Sequence, residues 1–307
     1  MEFWFSINDV NERMKKYIYF FTIFIINPSF AQDYTRYYKQ CNTADSLEYV
    51  GKNQEALDLF KVAFSAVEYT HSDKYNKAYR LAIKLNLFDD AYQFGRMMVI
   101  NSGNKNLLKT SSSAFKKSNQ YKALKDSTDD FLSLYSKRVN HDYIQLIDSL
   151  VFIDQYIIRG NRTYKGNYKI DKTTLPVNRF ELDKSNWQYL LKCIDSLGFP
   201  SEKNIGSKAY NDAWVILHHN LRLAENEQYH TTIFEFIKSG DYLPEDFFIW
   251  YEQFQMQVHG QTYFTTWDGN ISEENLKRID VNRRKFYLKG INSYELSKNG
   301  RSMIAKW

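Results

Sequence analysis

The sequence predicts an all-α protein in which stacked helical hairpins are followed by a helical domain with at most a small β-hairpin. Of the 307 residues, only 12 are Gly and 4 are Pro, fewer than a turn-rich β-sandwich needs. Apolar residues recur at intervals of three and four along most of the chain, as on one face of a helix. The length suffices for two compact units of roughly 100–150 residues. We expect hairpins over residues 32–137 and the second domain over residues 138–300.

The amino-terminal segment has the pattern of a secretory signal peptide. A positive pair, Lys15-Lys16, precedes an apolar run over residues 17–26, and a small-x-small cleavage site ends at Ala31. The run is about half of the ~20 residues that span a bilayer, so we expect a cleaved leader and no retained membrane span. Met14 is the better start codon, because a short leader does not carry charges before its positive pair. We therefore expect an exported protein, periplasmic or secreted, that begins after residue 31.

Composition excludes several classes of function. A formal charge of +5 spread over 307 residues is too dilute for a nucleic-acid-binding surface. No Gly-rich phosphate loop, nucleophile elbow or dinucleotide fingerprint occurs. Without HExxH or CxxC spacing the sequence predicts no metal site, and we expect no cofactor. In an oxidising compartment Cys41 and Cys193 could form a disulfide, but two separately buried thiols are the favoured interpretation.

Three segments between residues 34 and 136 share the pattern of a helical hairpin. In GKNQEALDLFKVAFS, the residues Ala56, Phe60 and Ala63 are spaced as in the second half of a tetratricopeptide repeat. There, a small residue lets two helices approach and an aromatic ring fills the groove beside it. A second copy places Ala91 35 residues after Ala56, and a third places Ala123 another 32 residues on.

The match to the repeat weakens along the chain. Gly95 and Met98 replace the aromatic and the second small residue in the second copy, and Ser127 replaces the aromatic in the third. Hairpins of this kind stack to bury their apolar faces, and the stack leaves a concave surface suited to protein or peptide partners. The alternative is an ordinary helical bundle with accidental periodicity.

Helices continue through the second half of the chain. Their apolar spacing predicts six, at about 142–159, 183–197, 206–224, 231–239, 243–258 and 272–288. The second of them has Asp183 or Ser185 as a cap, and Gly198 followed by Pro200 as its stop signal. Between the first two, residues 160–181 predict a functional flap or a mobile link. Residues 261–267, QTYFTTW, predict an extended segment or a short hairpin strand.

Five short motifs occur in order between Leu146 and Tyr294. They are Asp154-Gln155 with Arg159, Gly198-Phe199-Pro200 with Gly206, His218-His219, residues 260–266 (GQTYFTT), and Asn282 with Arg283 and Arg284. This order and spacing resemble an uncharacterised bacterial domain family, a domain of unknown function that often follows a secretion signal. The resemblance implies no reaction, because none is established for that family.

The chain departs from the family pattern at several positions. His218 stands where the family has Gln, and Glu252-Gln253 stand where it has an Asp-Arg pair. In the last motif, Phe264 and Thr266 replace Gly and Gln. If those positions perform chemistry in the family, this chain has lost part of it.

Four residues are candidates for acid–base catalysis: His219, Asp154, His259 and Gln261. Four of the six histidines lie between residues 218 and 259, and an imidazole oriented by a carboxylate, Asp154 or Glu252, can activate water. Successive helical residues point about 100° apart, so His218 and His219 cannot face one metal ion from one helix. The candidate binding residues are Arg159, Tyr263, Arg283 and Arg284.

The structural alternative assigns the same residues to packing. A histidine on the flank of a helix donates to a backbone carbonyl, and Asp154 forms an ion pair with Arg159 or Arg283. On balance the sequence favours an interaction or scaffold module of the cell envelope with protein or peptide partners. The alternative is a cell-envelope hydrolase with His219 as general base. A closed pocket that brings His219, His259 or Gln261 within about 4 Å of Asp154 or Glu252 would favour catalysis, because proton transfer needs hydrogen-bond contact. Scattered side chains, or a pocket filled by Trp214 and Tyr263, would exclude the hydrolase.

Overall fold

The computed structural model describes residues 34–158, 179–264 and 272–290. These residues form helices and turns, with no strand among them, so the predicted all-α class is confirmed. The predicted leader and Arg159 lie outside the described residues. So do most of the predicted loop 160–181 and the second half of the predicted extended segment.

Thirteen α-helices are present in the described ranges. They are α1 (Tyr34–Tyr49), α2 (Asn53–Ser65), α3 (Ser72–Lys84), α4 (Phe88–Ser102), α5 (Ser113–Lys116), α6 (Asn119–Asp126), α7 (Thr128–Arg138), α8 (His141–Phe152), α9 (Arg179–Leu197), α10 (Glu202–Leu221), α11 (His230–Lys238), α12 (Pro244–His259) and α13 (Glu273–Lys285). Shorter 3-10 turns span Lys105–Thr110 and Ala224–Tyr229, and a π-helical turn, Ile153–Ile158, follows α8.

The first four helices form two stacked hairpins, as predicted. α1 packs along α2 and α3 along α4, while α2 joins the two pairs through α3. Ala56, Phe60 and Ala63 on α2 are fully buried, and so are Ala91 and Met98 on α4. The small residues allow close helix contact, and Phe60 fills the space beside them.

The third predicted copy is shifted by one residue. Ala123 is exposed, and its neighbour Leu124 is fully buried instead. The reason lies in α4, where a Cβ added to Gly95 would be 2.8 Å from Leu124 Cδ2. A leucine therefore occupies the space that the glycine leaves open, and α6 is turned to present it.

The two halves of the chain share one hydrophobic core. α10 packs against α4 of the second hairpin and against α8 and α12 of the second half. The Tyr38 hydroxyl on α1 donates a hydrogen bond of 3.2 Å to the Tyr242 carbonyl. The domain boundary near residue 138 stays a prediction.

Several predicted helix ends differ from the observed ones. α9 is already helical at Arg179, so Asp183 and Ser185 lie inside it and are not caps. α10 begins at Glu202 behind Ser201, one turn before the predicted start. Gly206 has φ +77° and ψ 167°, which separates this first turn from the rest of α10. The sequence pattern placed the helix start at Gly206, where the backbone does break, but it did not predict the additional helical turn that begins at Glu202.

A closed polar pair joins the hairpins to the start of α10. His71, which precedes α3, has no solvent exposure, and its Nδ1 lies 3.2 Å from Glu202 Oε2. Its Nε2 donates to the Gly240 carbonyl over 3.0 Å. The Ser72 amide donates to Glu202 Oε1 over 3.1 Å. Both ring nitrogens and the carboxylate therefore have partners inside the core.

Both cysteines are buried free thiols, which agrees with the favoured interpretation of separate thiols. Burial raises the pKa of the Cys41 thiol to about 12. Within the described ranges, no helix combines the length and the apolar character needed to cross a bilayer.

Candidate functional site

Asp154 lies on the π-helical turn that continues α8. This turn packs against α8 and α9, and the Asp154 side chain has no solvent exposure. π-Helical turns are rare and occur frequently at functional sites. The turn sets Asp154 at the inner surface, where its carboxylate must be stabilised by donors from neighbouring groups.

His219 supplies one of these donors. Its Nδ1 lies 2.9 Å from Asp154 Oδ2 and 3.0 Å from Oδ1, and the Gln155 amide donates to Oδ2 over 2.7 Å. Because a carboxylate only accepts hydrogen bonds, Nδ1 carries the proton, and Nε2 of the neutral ring is left with a lone pair. The His219 side chain keeps 20% of its surface exposed, and none of the described residues hydrogen-bonds to Nε2. We call Asp154 and His219 the dyad.

The adjacent His218 does not contact Asp154. Its ring lies 5.0 Å from the Trp214 ring and 5.8 Å from the His219 ring, measured between centroids. Burial, followed by the nearby His219 and Arg222, lowers the pKa of His218 to about 4. His218 is therefore a neutral wall of the site. Over the described ranges, no three His, Cys, Asp or Glu side chains are grouped as a metal site requires.

The other candidate catalytic residues lie apart from the dyad. His259 is exposed at the end of α12 with its ring 5.6 Å from that of Phe254, and Gln261 is exposed beyond it. The alternative carboxylate, Glu252, accepts the backbone amides of Tyr263 and Phe264 over 3.0 and 2.7 Å. Glu252 therefore fixes the segment after α12.

Of the described binding candidates, Arg283 and Arg284 lie on α13 and Tyr263 lies beside it. Tyr263 packs edge-on against Tyr251 at 5.4 Å. Arg283 donates from Nε to the Lys289 carbonyl over 2.6 Å and lies over the Phe248 ring at 5.4 Å. Arg284 is exposed and donates to Asp280 over 2.7 Å. Each of these side chains has a structural contact in this part of the protein.

Sequence reasoning missed one residue near His218, Arg222, whose charge acts on the His218 ring. It caps α10 in the helical conformation, three residues after His219 and four after His218. Residues three and four apart share a helix face, so this spacing was the available signal. In the described part of the chain, Arg222 makes no ion pair or hydrogen bond, and its Nε is buried without a partner.

No protein-family model matches the chain, and neither a curated protein nor a solved structure matches it. Functional inference therefore depends on the geometry of the dyad and its surroundings.

Proposed function

We propose that this protein is a hydrolase in which the dyad acts as the general base. The observation that carries the proposal is the contact between the His219 imidazole, partly exposed, and the fully buried Asp154 carboxylate at 2.9 Å. Buried carboxylates orient imidazoles in this way in many acid–base sites, because they fix the tautomer and stabilise the imidazolium.

The chemistry follows from the free Nε2 of His219. This nitrogen takes a proton from a water molecule while the water oxygen forms a bond to the electrophilic carbon or phosphorus of an ester or amide. The imidazolium then returns the proton to the departing oxygen or nitrogen as the bond to the leaving group breaks. Asp154 stays ionised throughout and stabilises the positive ring between the two transfers.

The sequence supports a substrate outside the cytoplasm. The predicted signal peptide would carry the chain into the cell envelope, and the resemblance is to a family of exported proteins. A cell-envelope ester, amide or phosphoester is therefore the substrate class for a first screen.

The test is hydrolysis of p-nitrophenyl acetate, p-nitrophenyl phosphate and a p-nitroanilide by the full chain. For a substrate that is turned over, His219→Ala and Asp154→Asn should each lower kcat by about 10²–10⁴-fold, the usual contribution of a general base. His141→Ala is the matched control, since His141 is exposed and Ser136 is its hydrogen-bond partner among the described residues. Unfolding curves of each variant separate loss of activity from loss of structure. A His219→Ala variant with unchanged turnover would refute the proposal.

A second candidate function, a protein-interaction module, is supported by the first hairpin. A groove of about 390 Å³ is lined by one side of α1 and by Leu59 of α2. Its α1 residues are Thr35, Arg36, Lys39, Gln40 and Thr43. The apolar floor and cationic edge suit an acidic peptide.

Hydrogen bonds between hairpins support the tetratricopeptide-like interpretation behind this second candidate. They join residues 31 or 32 positions apart, at Lys77 to Asp45, Lys84 to Asn53 and Gln120 to Asp89. Affinity capture with the full chain from an envelope extract tests the module. Lys39→Glu should lose a partner that binds the groove, and Lys122→Glu, a charge reversal at an exposed position of α6, should retain it. Equal capture by both variants would exclude the groove.

A further inference from the structure

The last turn of α10 concentrates nitrogen atoms on one side of the dyad. With 3.6 residues per turn, Arg222 projects about 40° around the helix axis from His218 and about 60° from His219. Viewed down the axis of α10, Arg222 therefore lies between the two histidines, about one turn closer to the carboxyl end of the chain. The lowering of the His218 pKa by the Arg222 charge agrees with this proximity.

Two buried polar atoms here have no partner in the described part of the chain. They are Nε of Arg222 and Nδ1 of His218. The Nε of Arg138 is likewise buried without a partner, but the Arg138 guanidinium still donates to the carbonyls of Ile100 and Asn101. The buried Nε of Arg222 is costly, because this donor has lost its water without gaining a hydrogen bond from the described residues.

We propose that Arg222 binds an oxyanion of the substrate, a carboxylate or a phosphate group, beside the reacting bond at His219. This inference rests on the proposed hydrolase function and names its substrate class. A planar guanidinium presents paired N–H donors that match two oxygens of either group. His218 is neutral and can donate from Nδ1 or accept there, and the Trp214 ring packs against it at 5.0 Å.

The charge that would attract an oxyanion to the dyad comes from Arg222. Asp154 is the carboxylate that faces His219, and it is already bonded to the imidazole and to Gln155. Arg222 therefore supplies the positive charge at the end of α10, where it offsets the partial negative charge of the last helix carbonyls, which would otherwise repel an anion. A bound oxyanion would accept hydrogen bonds from the guanidinium and would leave the imidazole bonded to Asp154.

The experiment is a titration of the full chain, labelled with ¹⁵N-histidine, with inorganic phosphate and separately with sodium acetate at constant ionic strength. Saturable shifts of the His218 and His219 ring signals report binding. We expect Arg222→Gln to weaken the apparent Kd about tenfold or more, since it removes charge-assisted hydrogen bonds. Arg80→Gln, on the exposed face of α3, is the matched control and should leave the Kd unchanged.

The two titrations also separate the two oxyanions. Tighter binding of phosphate assigns a phosphate-bearing substrate, and tighter binding of acetate assigns a carboxylate. Absence of saturable shifts with both ions, or equal weakening by the Arg222 and Arg80 variants, overturns the inference. The hydrolase proposal fails by a different result, turnover that survives His219→Ala, so the two failures are distinguishable.

Discussion

Replacing His71 by leucine tests whether the closed pair beneath α10 is an ion pair that stabilises the fold. The leucine fills a similar volume but leaves the Glu202 carboxylate, 3% exposed, without the imidazole. It also removes the donor to the Gly240 carbonyl. Breaking a buried pair by removing one partner typically costs ~3–5 kcal/mol. The free energy of unfolding of a whole domain is only ~5–15 kcal/mol. We therefore expect His71→Leu to remove a large part of the stability of the protein.

The pH dependence identifies the charge. Burial alone lowers the pKa of His71, but the hydrogen bond and charge of Glu202 outweigh it, so the pKa lies above its ordinary value of 6.5. Stabilisation by the pair is therefore complete below pH 6.5 and is lost as the pH rises through the pKa of the folded protein. Burial also raises the pKa of Asp246 to about 7, which acts in the same direction. The readout is therefore the difference in free energy of unfolding between variant and wild type at each pH, in which the contribution that Asp246 makes to both proteins cancels.

The assay is urea unfolding of the full chain from pH 5 to pH 9. The His71→Leu variant should lose ~3–5 kcal/mol at pH 6 and progressively less at higher pH. Adding Glu202→Gln should restore ~2 kcal/mol, because the amide oxygen still accepts the Ser72 amide and no charge stays buried. A loss under ~1 kcal/mol, or a loss independent of pH, would refute the ion-pair reasoning.

Three further predictions concern the core. Gly206→Ala should lower the free energy of unfolding by ~2–4 kcal/mol, because the added Cβ would collide with the Tyr135 ring at φ +77°. Gly198→Ala, at φ +82° with nothing within 4 Å, should lower it by only ~1 kcal/mol in the same thermal or urea unfolding measurement. In native protein at pH 8, Cys41 should resist a thiol reagent until urea unfolds the chain, since its pKa is about 12; rapid reaction of the native thiol contradicts this. Arg138→Met should lower the free energy of unfolding by ~2 kcal/mol, because it removes donors to the last carbonyls of α4. An unchanged urea midpoint would show that these hydrogen bonds contribute no net stability.

The helices were predictable where the signals were local. Gly198 ends α9 and Gly260 ends α12, both in the left-handed conformation that stop signals imply. The start of α9 was not predictable from its cap residues, since Asp183 and Ser185 are tolerated inside a helix that already begins upstream. A cap residue marks a helix start only where the preceding backbone is non-helical, and that depends on the fold.

The candidate site was predictable by residue type but not by pairing. Asp154 and Glu252 were both open as partners of His219, and His219 lies 65 residues from Asp154 along the chain. The π-helical turn decides the pairing because it sets Asp154 inward, and periodicity of apolar residues contains no signal for such a turn. Glu252 instead accepts the backbone amides that follow α12. The pattern of apolar residues does not predict this contact either.

The described residues contain two hydrogen-bonded pairs of histidine and buried carboxylate, and their difference supports the proposed function. At His71 both ring nitrogens are bonded and both side chains lie inside the core, so the pair is saturated and can only connect α3 to α10. At His219, Nδ1 is the one ring nitrogen bonded within the described residues, and the side chain is 20% exposed, although Asp154 is fully buried. Burying a carboxylate for stability alone is unfavourable, because apolar replacements of such pairs are often as stable or more so. A pair that carries this cost in a partly exposed ring supports the proposed proton transfer at Nε2 of His219.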